Sequence, residues 1–224
     1  MTIQEFHRSF ELKLDKTQDY EYPSFSAEQI DFWLNDAQDR FVKSRAFGNN
    51  LKREGFEESQ KRVDDLKTIV KSSSISPTKS GNEYINILPN DYLYLVRHRC
   101  TVQSSNCGTQ VTGGTQVSHD ELNEVILDPF WKPTYDDPVY YFEDGKLMQL
   151  GASDFTITNT NITYIKQYNR LRNGTEYVAP TTDVQCELPV QTHSEIVDIA
   201  VALVLENIES PRYQTNLNEI TKTE

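Results

Sequence analysis

One run of apolar residues constrains the fold of this chain more than any other feature. It lies in the stretch HSEIVDIAVALVLENIESP, where residues 196–205 are apolar apart from Asp198. A helix that spans a bilayer needs about twenty apolar residues, so this shorter run, interrupted by a carboxylate, does not predict a membrane anchor. Because apolar side chains cover nearly the whole circumference of the helix, we expect it to be buried on nearly all sides. The rest of the chain is predicted to pack around it.

The ends of this buried helix are marked in the sequence, and we place it within residues 189–210. Pro189 lies just upstream and Pro211 follows it, as is typical of helix boundaries. Thr192 and Glu195 form a T-x-x-E pattern, which predicts a capping box that satisfies two free backbone donors at the first turn.

A catalytic site at the same place is the competing interpretation, because His193, Ser194 and Glu195 are consecutive. Neighbouring residues on a helix point in different directions and cannot converge on one reacting atom. Catalytic triads are instead assembled from distant parts of a chain. The sequence also lacks the phosphate-binding, dinucleotide-binding and nucleophile-elbow patterns G-x-x-x-x-G-K-[ST], G-x-G-x-x-G and G-x-S-x-G. We therefore expect no enzyme, no catalytic residue and no cofactor.

Two acidic clusters offer a weaker case for a metal-dependent module. His119, Asp120 and Glu121 could supply nitrogen and oxygen ligands, and Asp136 with Asp137 forms a carboxylate pair. The first cluster directly precedes Leu122, where a helix or turn start is expected, and prolines flank the second. We interpret both as solvated turn residues and expect no metal site.

The N-terminal third of the chain predicts an arm followed by two helices. Residues 1–24 are polar and mixed in charge, and we expect an extended arm there. Residues 25–75 predict a helical hairpin, whose first helix begins with the S-x-x-Q capping box of Ser26 and Gln29. Its second helix is expected over about residues 56–71.

The centre of the chain changes to a β pattern over residues 84–178. The serine-rich stretch at 72–81 is expected to be a loop, and Asp144 with Gly145 between two apolar runs predicts a hairpin. Helices, strands and a final buried helix together predict the α+β class. The expected architecture is a helical bundle around the buried C-terminal helix, with an inserted small antiparallel β subdomain and a C-terminal tail over residues 211–224.

The charge of the chain limits its partners. The net charge of −12 argues against a surface dedicated to nucleic acid, because neutralising phosphates requires Lys and Arg. One local cluster of basic residues is interpreted as a solvated helix face and turn: Arg40, Lys43, Arg45, Lys52 and Arg53.

Cysteines and the N-terminal segment bear on the compartment. Cys100, Cys107 and Cys186 are an odd number with no metal-ligand spacing, which favours reduced thiols in a cytosolic protein. The segment MTIQEFHRSFELKLDK has no apolar core typical of a signal peptide. We therefore expect a cytosolic protein.

An aromatic segment, DPFWKPTYDDPVYYF, predicts an interface. Three prolines stiffen its backbone, and aromatic residues on a stiff loop are typical of protein interfaces. The alternative, that these rings cover the sheet of the same chain, stays open. The candidate interface residues are Phe130, Trp131, Tyr135, Tyr140 and Tyr141.

Four stretches together resemble head–tail connector proteins of tailed phages: SFSAEQIDFWLNDAQDRFVKSRAFG, INILPNDYLYLVRHRC, LDPFWKPTYDDPVYYFEDGKLMQL with ITYIKQYNRL, and LPVQTHSEIVDIAVALVLENIESP. The last two are similar to portal-vertex ring proteins of crAss-like Bacteroides phages. The resemblance covers most of residues 24–211 and implies a virion structural protein. It implies a homo-oligomeric ring of about twelve copies between portal protein and neighbouring tail or ring proteins, with no membrane contact.

The resemblance also implies that DNA passes through the ring without specific binding. An acidic channel wall would repel the DNA backbone and let it slide, and a lumen lined by Lys or Arg would contradict this hypothesis. Two alternatives stay open: another virion structural component, such as a tail or minor head protein, and a soluble metal-dependent enzyme.

Overall fold

A computed structural model describes residues 1–14, 25–47 and 56–208, and it confirms the α+β class. The chain divides into two compact units. The helical unit is formed by Met1–Ile69 with Tyr168–Glu224, and the β unit is formed by Val70–Gln167. The β unit is thus an insertion, which begins at residue 70 and ends at 167 rather than spanning 84–178.

Within the described residues, the α-helices of the helical unit are α1 (Ile3–Leu14), α2 (Ala27–Ala46), α3 (Gln60–Leu66) and α5 (His193–Asn207). Helix α4 (Leu122–Leu127) belongs to the β unit. Helix α5 packs against both α1 and α2. Its buried side chains include Ile196, Val197, Ala200 and Val201, all fully inaccessible. The prediction of a central buried helix is confirmed, although its last turn at Ile208 is exposed.

The expected extended arm is wrong for α1, because residues 3–14 form a helix. Ile3, Phe6, Phe10 and Leu14 are buried and repeat at helical spacing. The apolar stripe and His7 lie against the core, and the glutamates and Arg8 face solvent. The remainder of the predicted arm, residues 15–24, lies outside the described residues, as does the predicted tail over 211–224.

The two predicted capping boxes have different outcomes. At the start of α2 the Ser26 side chain accepts a hydrogen bond from the Gln29 backbone N–H, and the Gln29 side chain accepts one from the Ser26 N–H. At α5 the prediction is wrong. A short 3₁₀ turn over Val190–Thr192 runs directly into the helix, so Thr192 has helical backbone angles and its hydroxyl donates to the Pro189 carbonyl.

Glu195, which the capping box required, instead joins an ion cluster. It accepts hydrogen bonds from the guanidinium of Arg45 at 2.7 Å and lies 3.2 Å from the ammonium of Lys61. Arg45 also pairs with the buried carboxylate of Asp65 at 3.2 Å. The interpretation of Arg45 as part of a solvated basic face is therefore wrong, because its side chain links α2, α3 and α5. Lys52 and Arg53 lie outside the described residues.

The predicted helix over residues 56–71 ends early. After a 3₁₀ turn at Phe56–Glu58, α3 stops at Leu66, and Val70–Ile75 forms strand β1. The next strands of the β unit are β2 (Thr78–Ser80), β3 (Glu83–Ile87), β4 (Tyr92–Ser104), β5 (Gly108–Thr112) and β6 (Thr115–Gln116). The serine-rich stretch expected as a loop is therefore largely strand, because β1 pairs along its whole length with a distant strand.

The rest of the β unit is α4 (Leu122–Leu127), β7 (Val139–Glu143), β8 (Lys146–Leu150) and β9 (Thr156–Lys166). Its strands form two sheets rather than one, in the orders β1-β9-β4-β5 and β2-β3-β8-β7-β6. All pairs are antiparallel except β6 with β7. The predicted hairpin is confirmed between β7 and β8, where Asp144 and Gly145 have φ of 49° and 67°.

The two sheets pack face to face through one core. Tyr140 and Leu147 of the five-stranded sheet contact Ile162 and Tyr164 of β9. The opposite side of the five-stranded sheet is covered by α4, through Val125. The four-stranded sheet therefore has one face in the core of the β unit and one face turned away from it.

Candidate assembly and binding surfaces

The turn after α4 presents two aromatic side chains to solvent. Phe130 is 91% exposed and Trp131 is 60% exposed. Asp128 fixes this turn, because its side chain accepts a hydrogen bond from the Phe130 N–H at 2.8 Å and its carbonyl accepts one from the Lys132 N–H. The aromatic rings are thus held outward by an ordered backbone.

Two aliphatic neighbours on α4 extend this apolar surface. Leu127 is 82% exposed and Ile126 is 52% exposed. We call Ile126, Leu127, Phe130 and Trp131 the α4 patch. A cavity of about 260 Å³ lies beside it, lined in part by Val117, Val125 and Val139. Large apolar side chains clustered at the surface mark contact sites for other proteins.

The other predicted interface residues belong to the core of the β unit. Tyr140 is stacked on His98 with ring centroids 4.3 Å apart, and only 8% of Tyr140 is exposed. Tyr141 is 2% exposed and donates its hydroxyl hydrogen bond to Glu83. Burial raises the pKa of Tyr141 to about 12, and the Glu83 carboxylate adds to the shift. Tyr140 and Tyr141 are therefore not available to a partner.

Tyr135 is intermediate in exposure between these buried tyrosines and the exposed pair Phe130 and Trp131. It is half-buried, packs on the core residues around Phe155, and its hydroxyl contacts the Cys107 carbonyl at 3.3 Å. The interpretation that the rings cover the sheet therefore holds for the tyrosines, and Phe130 with Trp131 stays a predicted interface. Sequence reasoning missed Ile126 and Leu127, although the run VILDPFW is continuous with the aromatic pair.

The helical unit has its own apolar surface on α2. Phe32 is 63% exposed and lies edge-on to Trp33, with ring centroids 5.2 Å apart. Phe25 and Asn207 line the same shallow depression. We call Phe25, Phe32 and Trp33 the α2 patch.

A third surface is polar and positively charged. It is the face of the four-stranded sheet that is turned away from the core of the β unit, and we call it the arginine face. Strand pairing sets Thr163 between Ser72 and Arg97, and Asn161 between Ser74 and Arg99. A concavity of about 540 Å³ opens over it. Its central side chains are Ser72, Ser74, Arg97, Arg99, Thr101, Gln103, Thr109, Val111, Asn159, Asn161 and Thr163, and Val70, Tyr94 and Ile165 follow at one end.

The arginines of this face alternate with buried residues. Arg97 and Arg99 are exposed, whereas His98 and Cys100 lie in the core. This two-residue period is the signal in the sequence RHRC that identifies a strand with a basic outer face. Burial raises the pKa of the Cys100 thiol to about 12, so this thiol is an inert core group.

The residues considered for a metal site are engaged in other contacts, although Glu121 and Asp137 line the same cavity. The His119 ring contacts the Phe142 carbonyl at 2.7 Å, and Glu121 accepts a hydrogen bond from Ser118. Asp136 accepts one from Gln110, and Asp137 accepts one from Thr115. Across the described ranges 1–14, 25–47 and 56–208, no three His, Cys, Asp or Glu side chains are grouped as a metal site requires.

His193 and Ser194 do not converge with an acid. His193 is buried in the first turn of α5, where its ring nitrogen Nε2 contacts the Leu188 carbonyl at 2.9 Å, and Ser194 is exposed. Burial lowers the pKa of His193. In the part of the chain that the structure describes, no helix is both long and apolar enough to cross a membrane.

Comparison with known families identifies the class of protein. Residues 1–216 match the family described as phage tail ring protein 3/4, and the chain belongs to this family. Its members are structural ring proteins of the phage virion rather than enzymes, and a ring implies oligomeric assembly with other phage proteins. A comparison with curated proteins gives no match.

Proposed function

We propose that this tail ring protein forms a head–tail connector ring between the portal and the tail, and that the ring surrounds the DNA passage. The observation that carries the proposal is the α4 patch, a cluster of exposed apolar side chains on a fixed turn in a chain of a ring-forming family. Such a patch is explained if a neighbouring subunit covers it.

A closed ring needs two different contact surfaces on each subunit. In a cyclic assembly of more than two copies each interface joins unlike surfaces, so every subunit contributes one of each kind. The α4 patch lies on the β unit and the α2 patch lies on the helical unit. We assign these two patches to the two kinds of contact, each covered by a neighbouring copy or by an adjoining ring.

The size of the α4 patch sets the expected strength of one contact. Burying an exposed Leu or Phe side chain contributes about 1.5–3 kcal/mol, and association opposes this with at least about 4 kcal/mol of lost rotational and translational freedom. A single contact through Leu127, Phe130 and Trp131 is therefore weak. The subunit is expected to be monomeric when dilute and to close into a ring on its phage partners, where every copy has two neighbours.

The charge of the chain is compatible with a DNA passage. With a net charge of −12 the subunit repels the phosphate backbone at long range. DNA therefore moves past the ring without tight or sequence-specific binding. Before assembly the protein resides in the host cytoplasm, and afterwards at the portal vertex of the virion.

Variants of the α4 patch test this assignment. Phe130→Ser with Trp131→Ser removes two exposed rings, so we expect an unchanged melting temperature and a loss of this protein from assembled particles. The measurement is complementation of a phage lacking the gene, with the protein quantified in purified particles. Val178→Ser is the matched control, because Val178 is fully exposed but lies outside the patch. Normal incorporation of the double variant would exclude the α4 patch as an assembly contact.

A ring within the tail that does not touch the portal is the second candidate, and the family description, which names a tail ring, favours it. The two differ in their neighbours. Chemical crosslinking of intact particles followed by mass spectrometry distinguishes them. Crosslinks between this chain and portal protein support the connector, and crosslinks to tail proteins alone support the second candidate.

A further inference from the structure

We propose that the arginine face binds the phosphodiester backbone of duplex DNA through Arg97 and Arg99, without reading base sequence. The two residues are separated by one buried residue on β4. Their side chains therefore leave the sheet on the same side, about 7 Å apart along the strand. This arrangement lets two guanidinium groups reach two phosphates of one backbone.

The pairing of the strands adds neutral donors beside each arginine. Thr163 lies opposite Arg97, and Asn161 lies opposite Arg99. One strand further, Ser72 and Ser74 complete the two rows. Hydroxyl and amide groups next to Arg are the side chains that commonly contact phosphate oxygens.

The charge state of the arginine face is unusual for this chain. Three arginines elsewhere are paired with carboxylates: Arg40 with Asp36, Arg45 with Asp65, and Arg170 with Asp39. Within the described residues, the side chains of Arg97 and Arg99 have no hydrogen-bond or ion-pair partner. The outward positions of the four strands carry no carboxylate, although the chain has 34 acidic residues. Two unpaired cations on an acid-free face are complementary to an anion.

The composition of the face favours a nucleic acid over a protein partner. A stable protein interface has a desolvated apolar core, and the face has one exposed large apolar side chain, Val111. By strand register its one aromatic side chain among the described residues is Tyr94, which pairs with Ile165 at the end of the face and is only partly exposed, whereas single-strand binding uses exposed rings on which successive bases stack. The partner that fits this face is therefore the backbone of a duplex, and contacts to the backbone carry no sequence information.

The number of cations predicts weak binding that depends on salt. Neutralising two phosphates gives a slope of log K against log salt of about −2. Raising salt from about 50 to about 200 mM should therefore weaken binding about tenfold. In a ring the same weak contact is repeated by every subunit and holds DNA loosely at many points.

An NMR titration of the full chain detects contacts of this strength without requiring a ring. The probe is a mixed-sequence duplex of about 20 base pairs, long enough to cover the face at a rise of about 3.4 Å per pair. We expect shifts of the amide signals of β1, β4 and β9, and an affinity that falls about tenfold over the stated salt range. Arg97→Gln with Arg99→Gln should reduce the affinity at least tenfold.

Two further variants separate local binding from overall charge. Arg8→Gln with Arg172→Gln removes two exposed arginines elsewhere, so both double variants have the same net charge, and this control should change the affinity less than about twofold. Arg97→Lys with Arg99→Lys keeps the charge and should restore part of the binding. An unchanged amide spectrum outside the substituted strand verifies the fold of each variant.

Three results would overturn DNA binding by this face. The first is that changes of the amide signals are absent or lie outside the arginine face. The second is an affinity that differs more than tenfold between duplexes of different sequence. The third is that polyglutamate causes equal changes, which would identify an acidic protein segment as the partner. Binding of DNA to the monomer does not depend on ring assembly. Failure here therefore leaves the ring proposal intact, and failure of the ring proposal leaves this face to be tested.

Discussion

At the scale of single residues, a buried polar network fixes the protonation state of one histidine. Gln149 accepts hydrogen bonds on its oxygen from Asn86 at 2.9 Å and from Thr160 at 2.8 Å. Its amide nitrogen is thereby left to donate to Nε2 of His98, 2.7 Å away. Nε2 must accept this bond, so His98 is neutral in the folded protein. Burial lowers the pKa of His98 to about 4. Protonation of its Nε2 would also place two hydrogen-bond donors, this nitrogen and the Gln149 amide, opposite each other.

This neutral histidine predicts a loss of stability in mild acid. The unfolded chain binds a proton at His98 near the ordinary pKa of 6.5, whereas the folded chain does so only near 4. The contribution to the free energy of unfolding is therefore constant above about pH 7 and falls as the pH drops toward 4. The loss is about 2 kcal/mol at pH 5. Urea unfolding at pH 7 and pH 5, followed by circular dichroism, measures it.

Two histidine variants isolate the effect. His98→Gln lowers stability at both pH values but should show a smaller further loss between pH 7 and pH 5 than the unmodified protein. His119→Gln, which removes an exposed histidine, should keep the full loss. The same pH dependence in both variants would mean that His98 is not the group responsible.

Close packing around Gly114 gives a second prediction at the residue scale. A Cβ atom there would lie 2.8 Å from the Pro138 carbonyl oxygen and 3.0 Å from the His98 ring. The oxygen is backbone and accepts a hydrogen bond from Thr115, so it cannot move freely. Gly114→Ala should lower the free energy of unfolding by about 1–3 kcal/mol, measured by urea unfolding.

The adjacent glycine supplies the control. At Gly113 the nearest atom to an added Cβ is 3.9 Å away, which is ordinary contact. Gly113→Ala should leave stability unchanged or raise it slightly, because alanine reduces the freedom of the unfolded chain. Equal losses in the two variants would contradict the packing at Gly114.

Local sequence patterns predicted some residue contacts and not others. The Ser26 capping box depends only on residues within one turn, and it formed as expected. Thr192 and Glu195 have the same pattern, but the preceding 3₁₀ turn and the distant Arg45 decide their contacts. The exposed or buried state of an aromatic side chain is likewise set by the opposite sheet: Phe130 and Tyr140 lie in one segment, and only packing separates them.

At the scale of elements, α5 is the part of the fold that the sequence identified best. An apolar surface on nearly all sides of a helix has few explanations other than burial. Helix α1 was missed because its four buried apolar positions are spread among charged residues, and β1 was missed because its serines have little strand preference of their own. Pairing with β9, some ninety residues away, determines β1, and no local pattern contains that information.

The burial of α5 predicts the effect of one added charge. Ala200 is fully inaccessible, so Ala200→Asp sets an unpaired carboxylate in the core of the helical unit. The penalty is several kcal/mol, which should unfold this unit or prevent accumulation of soluble protein. Circular dichroism and the soluble yield measure it.

The same helix carries its own control position. Ser194 is exposed in the first turn, where a carboxylate interacts favourably with the helix dipole. Ser194→Asp should therefore fold with stability close to that of the unmodified protein. A folded, stable Ala200→Asp variant would contradict the role of α5 as the centre of the helical unit.

At the scale of the whole molecule, we expect three surfaces with different chemistry to serve different contacts. The α4 patch and the α2 patch are apolar and suit neighbouring subunits, and the arginine face is polar and suits a phosphate backbone. The expectation of a uniformly acidic DNA passage does not extend to the arginine face. A few cations on a strongly acidic subunit can contact DNA and still release it quickly, because the long-range field of the subunit is repulsive.

The number of copies in the virion tests the ring most directly. Quantitative peptide mass spectrometry of purified particles of the phage that encodes this chain compares its abundance with that of the major capsid protein. A single ring at one vertex predicts about a dozen copies per particle. Hundreds of copies would instead indicate a shell or tail-tube protein, and absence from particles would contradict a structural role in the virion.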